Sequence, residues 1–510
     1  MTTPVTLYKC GEVRTPSMPI ATAMLVRDGK VEWLGDDDPP AAEVTVDLGD
    51  ALVTPAFVDA HVHVTDTGLA RLGLDLSGVR SAGQLLEAVE AFARKQNGGV
   101  ILGHGFDEST WGNDQVPPSS AQLDRAAGGR SLYLSQASIH SALVSSDLLA
   151  LTGGTLGFDE SGWVRREAHH VVREAAFGRI TKAQRDEAQN ETLRAAASLG
   201  IAAVHECGGP GTSSEEDFTG LLAKSGIGSG KGFPEVYGFW GELMAAAKAR
   251  ELGAVGAGGD LYADGALGSR TAHLRESYLD GDGGCGHAYV TTEQVTEHLL
   301  DCGRHRMQGG FHAIGDAAIG TIVDGFKKAA EKVGVEAIRA ARHRVEHAEI
   351  MDKGLIAGFV EFAIIASMQP AFDRLWGGEH QMYAQRLGVP RSLASNPMGQ
   401  MHHTGVALAF GSDSPVTPLD PWGSVRAAMW HFNPAHRMKQ SAAFAAHTKG
   451  GWRAVHRDAE GVLVPGAPAT FAVWHTPSGR VGSLPSLEPQ DDLPRCRRTV
   501  LRGETIYALE

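Results

Sequence analysis

Cysteine is scarce in this chain: five in 510 residues (Cys10, Cys207, Cys285, Cys302 and Cys496), with no Cys-x-x-Cys among them. An odd, scattered set argues against a disulfide frame and against a thiolate zinc site, and predicts reduced thiols in a cytoplasmic protein. Positive charge is also short, with 46 Lys+Arg against 60 Asp+Glu and a formal charge of −14. Without a basic block to offset phosphate repulsion, neither nucleic acid nor an anionic membrane is an expected partner. No apolar run approaches the length of about 18 residues that a spanning helix needs, and no apolar stretch follows Met1, so neither a membrane span nor a signal peptide is expected. A small-molecule substrate fits what remains, with a homo-oligomer left open. Hydrophobic residues at 43% and charged residues at 21% are ordinary for a globular chain, which excludes disorder. The abundant types are glycine, with 64 residues, and histidine, with 22. Glycine at that level suits many tight turns. Histidine suits metal only if its placement does.

The chain changes texture twice. Up to residue 55 it reads as short strands (Thr6–Tyr8, Ala23–Arg27, Val31–Gly35, Val44–Leu48), with Asp28-Gly29 as a hairpin signal. From residue 56 apolar strand-like runs alternate with helical patterns, as in a parallel sheet covered by helices. Ser81 with Gln84 makes a capping-box start, Thr181 to Leu199 reads as a helix stopped by Gly200, and helices follow at Thr292 to Met307, Ile319 to Val333 and Asp352 to Phe362. Eight strand candidates are found at Ala56–Val64, Gly200–Glu206, Glu235–Phe239, Gly259–Ala263, Gly309–Ala313, His343–His347, Ile364–Gln369 and Ala407–Ser412. Eight is the number that closes a (β/α)₈ barrel. After residue 454 short strands return at Gly461–Val464, Thr470–Trp474, Thr499–Leu501 and Glu504–Ala508.

The expected architecture is therefore α/β: a TIM-like (β/α)₈ barrel over 56–454, and one small β domain built from 1–55 and 455–510. Residues 65–181 form an inserted subdomain with strand-like pieces of its own (Val100–Gly103, Ser131–Leu134). An insertion of that length at the carboxyl end of a barrel strand is expected to cover the active site.

The chemistry is written at the strand ends. Asp59-Ala60-His61-Val62-His63 ends the first candidate strand, and side chains at i and i+2 share a face, so His61 and His63 point together. A lone His-x-His is more often bland than functional. Here, however, His312 ends the fifth candidate strand, His347 the sixth and Asp413 the eighth. Singly, each would be an ordinary buried polar residue. Together they occupy the end of the barrel where active sites are assembled, and neutral imidazole with carboxylate suits zinc and other borderline divalent cations.

On these residues the chain resembles the amidohydrolase superfamily of metal-dependent hydrolases, in the branch that includes N-substituted formamide deformylase. The matching motifs are Pro-x-Phe-Val-Asp-Ala-His-Val-His at 55–63, Ala-Asp-Gly-Ala-Leu-Gly-Ser-Arg-Thr-Ala at 263–272 and His-Ala-Ile-Gly-Asp at 312–316. They continue with Arg-Val-Glu-His-Ala at 344–348, Met-Gln-Pro at 368–370 and Gly-Ser-Asp-Ser-Pro-Val at 411–416, while Gly105-Phe106-Asp107-Glu108, Trp111 and His140 match in the insertion. The resemblance implies that His61, His63 and Asp413 hold the more buried metal, and that His312 and His347 hold a second or complete a single site. Relatives often carry a lysine, which can be carboxylated to bridge two metals, where this chain has Asp260. One zinc ion is preferred on that ground, with a pair of divalent ions bridged by Asp260 as the alternative.

A bound divalent ion lowers the pKa of its water to roughly 7, which supplies hydroxide at neutral pH. Asp413 then serves as general base and acid in cleaving a carbon–nitrogen bond, amide or N-formyl, of a small molecule. Esters or cyclic amides could be cleaved on the same site, and an inactive barrel scaffold is the reading from another class. Weaker candidates for substrate contact are His140, Trp111, Arg270 and Gln369, with His104 and Asp264 beside them. His205, Glu206 and Cys207 at the second strand read as ordinary buried residues first.

Overall fold

The structure is a computed structural model and describes residues 4–16, 18, 21–96, 98–111, 116–136, 141–226, 232–281 and 283–509. Its centre is an eight-stranded parallel sheet: β1 Phe57–Val62, β2 Ile201–Gly208, β3 Glu235–Trp240, β4 Gly256–Ala257, β5 Gln308–Ala313, β6 Arg344–His347, β7 Ile365–Met368 and β8 Ala407–Phe410. Each strand pairs with the next in sequence, and β1 and β8 approach each other past their ends, where Val62 bridges Ser414 and the Asp413 amide donates to the His61 carbonyl at 2.7 Å. This is the expected (β/α)₈ barrel. Nearly every residue of its long strands is buried, as strands covered on both faces must be.

Several helices start where a side chain satisfies one of their free N–H groups. The helix Ala82–Lys95 begins at Ser81, whose hydroxyl accepts the Gln84 amide at 3.2 Å. The helix Thr292–His305 has a full capping box between Thr291 and Gln294, and Asp352 caps Lys353–Glu361 by accepting the Leu355 amide at 2.8 Å. Among the described residues no helix is long and apolar enough to cross a membrane.

The fourth strand departs from its expected place. Gly259–Ala263 is not a strand; the regular ladder is Gly256–Ala257, it breaks at Gly258 and Gly259, and one bridge resumes from Tyr262 to His312. Gly259 has φ +77°, and a Cβ on Gly258 would lie 2.4 Å from the Gly310 nitrogen. The two glycines let the backbone turn against β5 and re-aim the side chains from Asp260 onward. Gly258→Ala is therefore expected to cost about 1–3 kcal/mol through overpacking, read as a lower urea midpoint; an unchanged midpoint would show that the kink tolerates a side chain. Gly461–Val464 likewise forms no strand.

Strands from both ends of the chain share one sheet, in the order Glu12–Val13, Leu52–Pro55, Phe471–His475, Arg495–Leu501 and Glu504–Ala508. A second sheet holds Lys30–Gly35, Ala23–Arg27, Thr6–Lys9 and Val44–Asp47. By compactness the chain makes two units: Met1–His63 with Leu193–Glu510, and Val64–Thr192. The second unit thus extends past residue 181, because the helix Lys182–Ser198 belongs to it as far as Thr192. Ala188 is buried in its core, Gln189 Nε2 donates to Thr65 Oγ1 at 3.2 Å, and Thr192 Oγ1 donates to the Val64 carbonyl at 2.8 Å. This unit has its own five-stranded sheet, which includes Ile101–Phe106 and Leu132–Gln136.

Candidate metal centre

At the carboxyl ends of the barrel strands His61, His63, Asp260, His312, His347 and Asp413 come together. Their ligand atoms fall into overlapping groups with every atom within 4.8 Å of the others: His61, His63 and Asp260; His61, His347 and Asp413; Asp260, His312 and His347. Asp413 Oδ1 lies 3.4 Å from His61 Nε2 and 3.3 Å from His63 Nε2. Asp260 sits between the two halves. Its Oδ2 is 3.1 Å from His63 Nε2, while its Oδ1 is 3.5 Å from His61 Nε2 and 3.3 Å from His312 Nδ1. The glycine kink in the fourth strand is what turns this carboxylate inward.

Two residues reach the cluster through unusual backbone. Simple strand alternation would put His347 on the face opposite Glu346, but His347 and Ala348 have φ +69° and +49°, so Glu346 and His347 both serve the site. Asp413 has φ +55°, held by its amide bond to His61 and by the His63 amide, which donates to the Ser414 carbonyl at 2.9 Å. Such conformations are costly for residues with side chains and persist where the surroundings enforce them.

The histidines fit a cation. Each of three has one ring nitrogen spent on an acceptor: His61 Nδ1 donates to Glu346 Oε2 at 2.9 Å, His347 Nδ1 to Gln369 Oε1 at 2.8 Å, and His312 Nε2 to the Gly265 carbonyl at 3.3 Å. Those bonds leave His61 Nε2, His347 Nε2 and His312 Nδ1 with lone pairs directed at the cluster, which is how ligating imidazoles are oriented. His61 Nε2 is fully buried and has no hydrogen-bond partner among the described residues. His347 Nε2 and His312 Nδ1 stand 3.0 Å apart, within hydrogen-bond distance of each other.

Electrostatics point the same way. Burial alone would lower the His63 pKa, but the carboxylates of Asp260 and Asp413 raise it well above the ordinary histidine value. Burial would raise Asp413, yet the nearby charge of the His61 and His63 imidazoles holds it below the usual carboxylate range. Asp260 is lowered in the same manner. The carboxylates demand positive charge nearby, and imidazolium protons or a divalent cation can provide it.

The remaining candidates separate. Gln369 is buried against His347, so it orients an imidazole. Arg270 is tied to Asp280 through two bonds of 2.9 and 2.8 Å, a structural ion pair. Asp264 accepts the backbone N–H groups of His273, Ile314 and Gly315, which fastens the loop after the fourth strand to β5. Trp111 belongs to the second unit, buried in its core beside Phe106, and His104 there contacts the Ala70 carbonyl at 3.0 Å. His140 lies outside the described residues. His205 contacts Arg344, with burial and that cation holding its pKa well down. Glu206 and Cys207 are buried in β2.

Sequence reasoning missed three residues. Glu346 backs His61, and Arg344 backs Glu346; their i, i+2 spacing on β6 was the available signal. Tyr262, which has a hydroxyl 3.3 Å from Asp260 Oδ2 and a ring 4.7 Å from that of His312, carried no signal because its strand is broken.

The sequence model of the Amidohydrolase family matches residues 44–507 of the chain. "Protein LONG AFTER FAR-RED 3" of Arabidopsis thaliana is 28% identical over 519 aligned residues, covering 91% of this chain and 85% of that protein. The N-substituted formamide deformylase of Arthrobacter pascens is 30% identical, but over 142 residues, 26% of each chain. A crystal structure of an uncharacterized metal-dependent hydrolase from Pyrococcus furiosus superposes with a TM-score of 0.77 at 24% identity, covering 92% of this chain and 98% of that one, and so shares the fold.

Proposed function

Because the chain belongs to the amidohydrolase family, its match running from residue 44 to 507, we propose that it hydrolyses a carbon–nitrogen bond, amide or N-formyl, in a small molecule. The observation that carries this reading is the meeting of four histidines and two carboxylates at the barrel's carboxyl end, with three imidazoles oriented by acceptors behind them. The partial match to a formamide deformylase favours the N-formyl branch. His61, His63 and Asp413 would hold one divalent cation, and His312 with His347 a second. Asp260 would serve both, since its carboxylate lies between His61 and His63 on one side and His312 on the other. Zinc suits this set of nitrogen and oxygen donors. When bound, the cation supplies hydroxide from water at neutral pH and positive charge opposite the developing oxyanion.

The chain's own residues do the rest. Asp413, held below the usual carboxylate range, stays ionised at neutral pH and accepts a proton from the attacking water. It then delivers that proton to the leaving nitrogen, so water adds across the bond as hydroxyl on carbon and hydrogen on nitrogen. Glu346, Gln369 and the Gly265 carbonyl keep the imidazoles from turning. All five cysteines are free thiols, which suits a reducing compartment such as the cytoplasm.

The experiment is a hydrolysis screen of metal-stripped and zinc-loaded protein against N-formyl amines, N-acyl amino acids, cyclic amides and esters. Turnover of a formamide or amide that depends on zinc is expected. Turnover confined to esters or cyclic amides would reassign the bond, and a protein that keeps no stoichiometric cation and turns over nothing would be a scaffold.

A further inference from the structure

Beneath the cluster, inside the barrel, lies a buried ion pair of which the hydrolytic scheme uses only Glu346, as the acceptor behind His61. Arg344 and Glu346 alternate along β6 and both are wholly inaccessible to solvent. The guanidinium meets the carboxylate through two bonds, Nε to Oε1 and Nη2 to Oε2, the latter at 2.9 Å. Nη2 also reaches the Ala60 carbonyl at 2.6 Å and Ser367 Oγ at 2.9 Å, and Nη1 donates to His205 Nδ1 at 3.1 Å. The face of Phe239 closes the other side, 4.3 Å from the guanidinium carbon. Residues of β1, β2, β3, β6 and β7 thus fix one side chain, and that side chain fixes Glu346. Glu346 Oε2 in turn holds His61 Nδ1.

The three oriented histidines are not backed alike. His347 rests on the neutral amide of Gln369 and His312 on a backbone carbonyl, whereas His61 rests on a carboxylate. A charged acceptor makes the stronger hydrogen bond and the more basic imidazole. We propose that Arg344 and Glu346 are positioning residues that set the order of metal loading: by locking His61 with Nε2 toward the cluster, they make the group of His61, His63 and Asp413 the tighter of two cation sites. This rests on the reading of His61 as a ligand. Glu346 acts through His61, and Arg344 through Glu346.

The test is a cobalt(II) titration of the metal-stripped full chain, read by competition with a chromogenic chelator. The wild type is expected to bind in two steps of unequal affinity. The double variant Arg344→Met, Glu346→Leu replaces the pair by apolar side chains of similar size, an exchange that buried ion pairs commonly survive with their fold intact. Its first-step affinity is expected to fall about 10–100-fold, the usual loss when such a partner is removed, so that the two steps draw together. A folded double variant with cooperative melting and wild-type first-step affinity would overturn the proposal. Should the double variant not fold, Glu346→Gln keeps an acceptor oxygen without the charge; a weakened first step supports the proposal and an unchanged one overturns it. His61→Asn separates the two ideas. It is expected to abolish the first step, and if it leaves that step intact, His61 is no ligand and the metal centre fails together with the proposal built on it.

Discussion

Replacing Asp413 by Asn is expected to lower kcat at least about 10²–10⁴-fold, the usual worth of a general base. The carboxylate lies 3.3–3.4 Å from two imidazoles, and its partners keep it ionised. An amide of the same shape retains an oxygen for a cation but cannot take up a proton. Because that proton moves in the transition state, kcat and kcat/KM should fall together. Fold should persist, since the backbone of Asp413 is held by its own amide bond to the His61 carbonyl. The opposing view is that Asp413 only shapes the turn into Ser414 and Pro415. Asn tolerates a positive φ at least as well as Asp does, so on that view turnover stays near normal. Steady-state rates on the best substrate from the screen, with metal content measured in parallel, decide between them.

Cation affinity should climb steeply with pH, and this is the second large effect. The carboxylates of Asp260 and Asp413 overcome the effect of burial and raise the His63 pKa well above its ordinary value near 6.5. In the metal-free protein that raised value stabilises the fold fully below about pH 6.5, and the contribution is lost as pH rises through the folded-state pKa. A cation needs the same nitrogen without its proton. Between the ordinary and the raised value, affinity should therefore rise about tenfold per pH unit for each imidazole that must release a proton. His61 shifts in the same direction as His63, so up to about a hundredfold per unit is expected when both are charged. Zinc titrations from about pH 6 to about pH 8 read the slope. Affinity that does not change with pH would mean that the imidazoles are already neutral, or that they are not ligands. Thermal melting offers a second reading, because the gap between zinc-loaded and stripped protein should widen as pH increases.

Much of this centre was legible because it obeys strand periodicity. His61 and His63 stand two apart at the carboxyl end of β1, and His312 and Asp413 fall at or just past the ends of strands that their apolar runs announce. What was not legible depends on broken periodicity. Asp260 owes its inward aim to the kink at Gly258 and Gly259, and a sequence does not say which way two glycines will turn. His347 is legible as a ligand at a strand end, but Glu346 beside it is not, because alternation brings only one of two neighbours inward; the positive φ at His347 lets both serve the site. Arg270 found Asp280 across an irregular loop, where no repeat announces a partner. The segment 461–464 has strand-like composition, but no strand among the described residues pairs with it.

The seam where β8 meets β1 has a consequence for how the molecule comes into being. Asp59 Oδ1 receives the Ser412 amide, a residue 353 positions away, and a Cβ on Gly411 would strike the His61 nitrogen at 2.4 Å, so the two strand ends meet with no slack. Contacts this distant in sequence carry the largest loop-closure entropy and are late to form. A chain emerging from the ribosome therefore has His61 and His63 hundreds of residues before it has Asp413. During that time the site proposed for His61, His63 and Asp413 lacks its carboxylate from the eighth strand end. A cation held by all three, as proposed above, would join the earliest and latest barrel strands and act as a clasp on the closed ring. Opening that ring would then require the cation to leave, so the loaded protein should outlast the stripped one under protease even where their equilibrium stabilities are close.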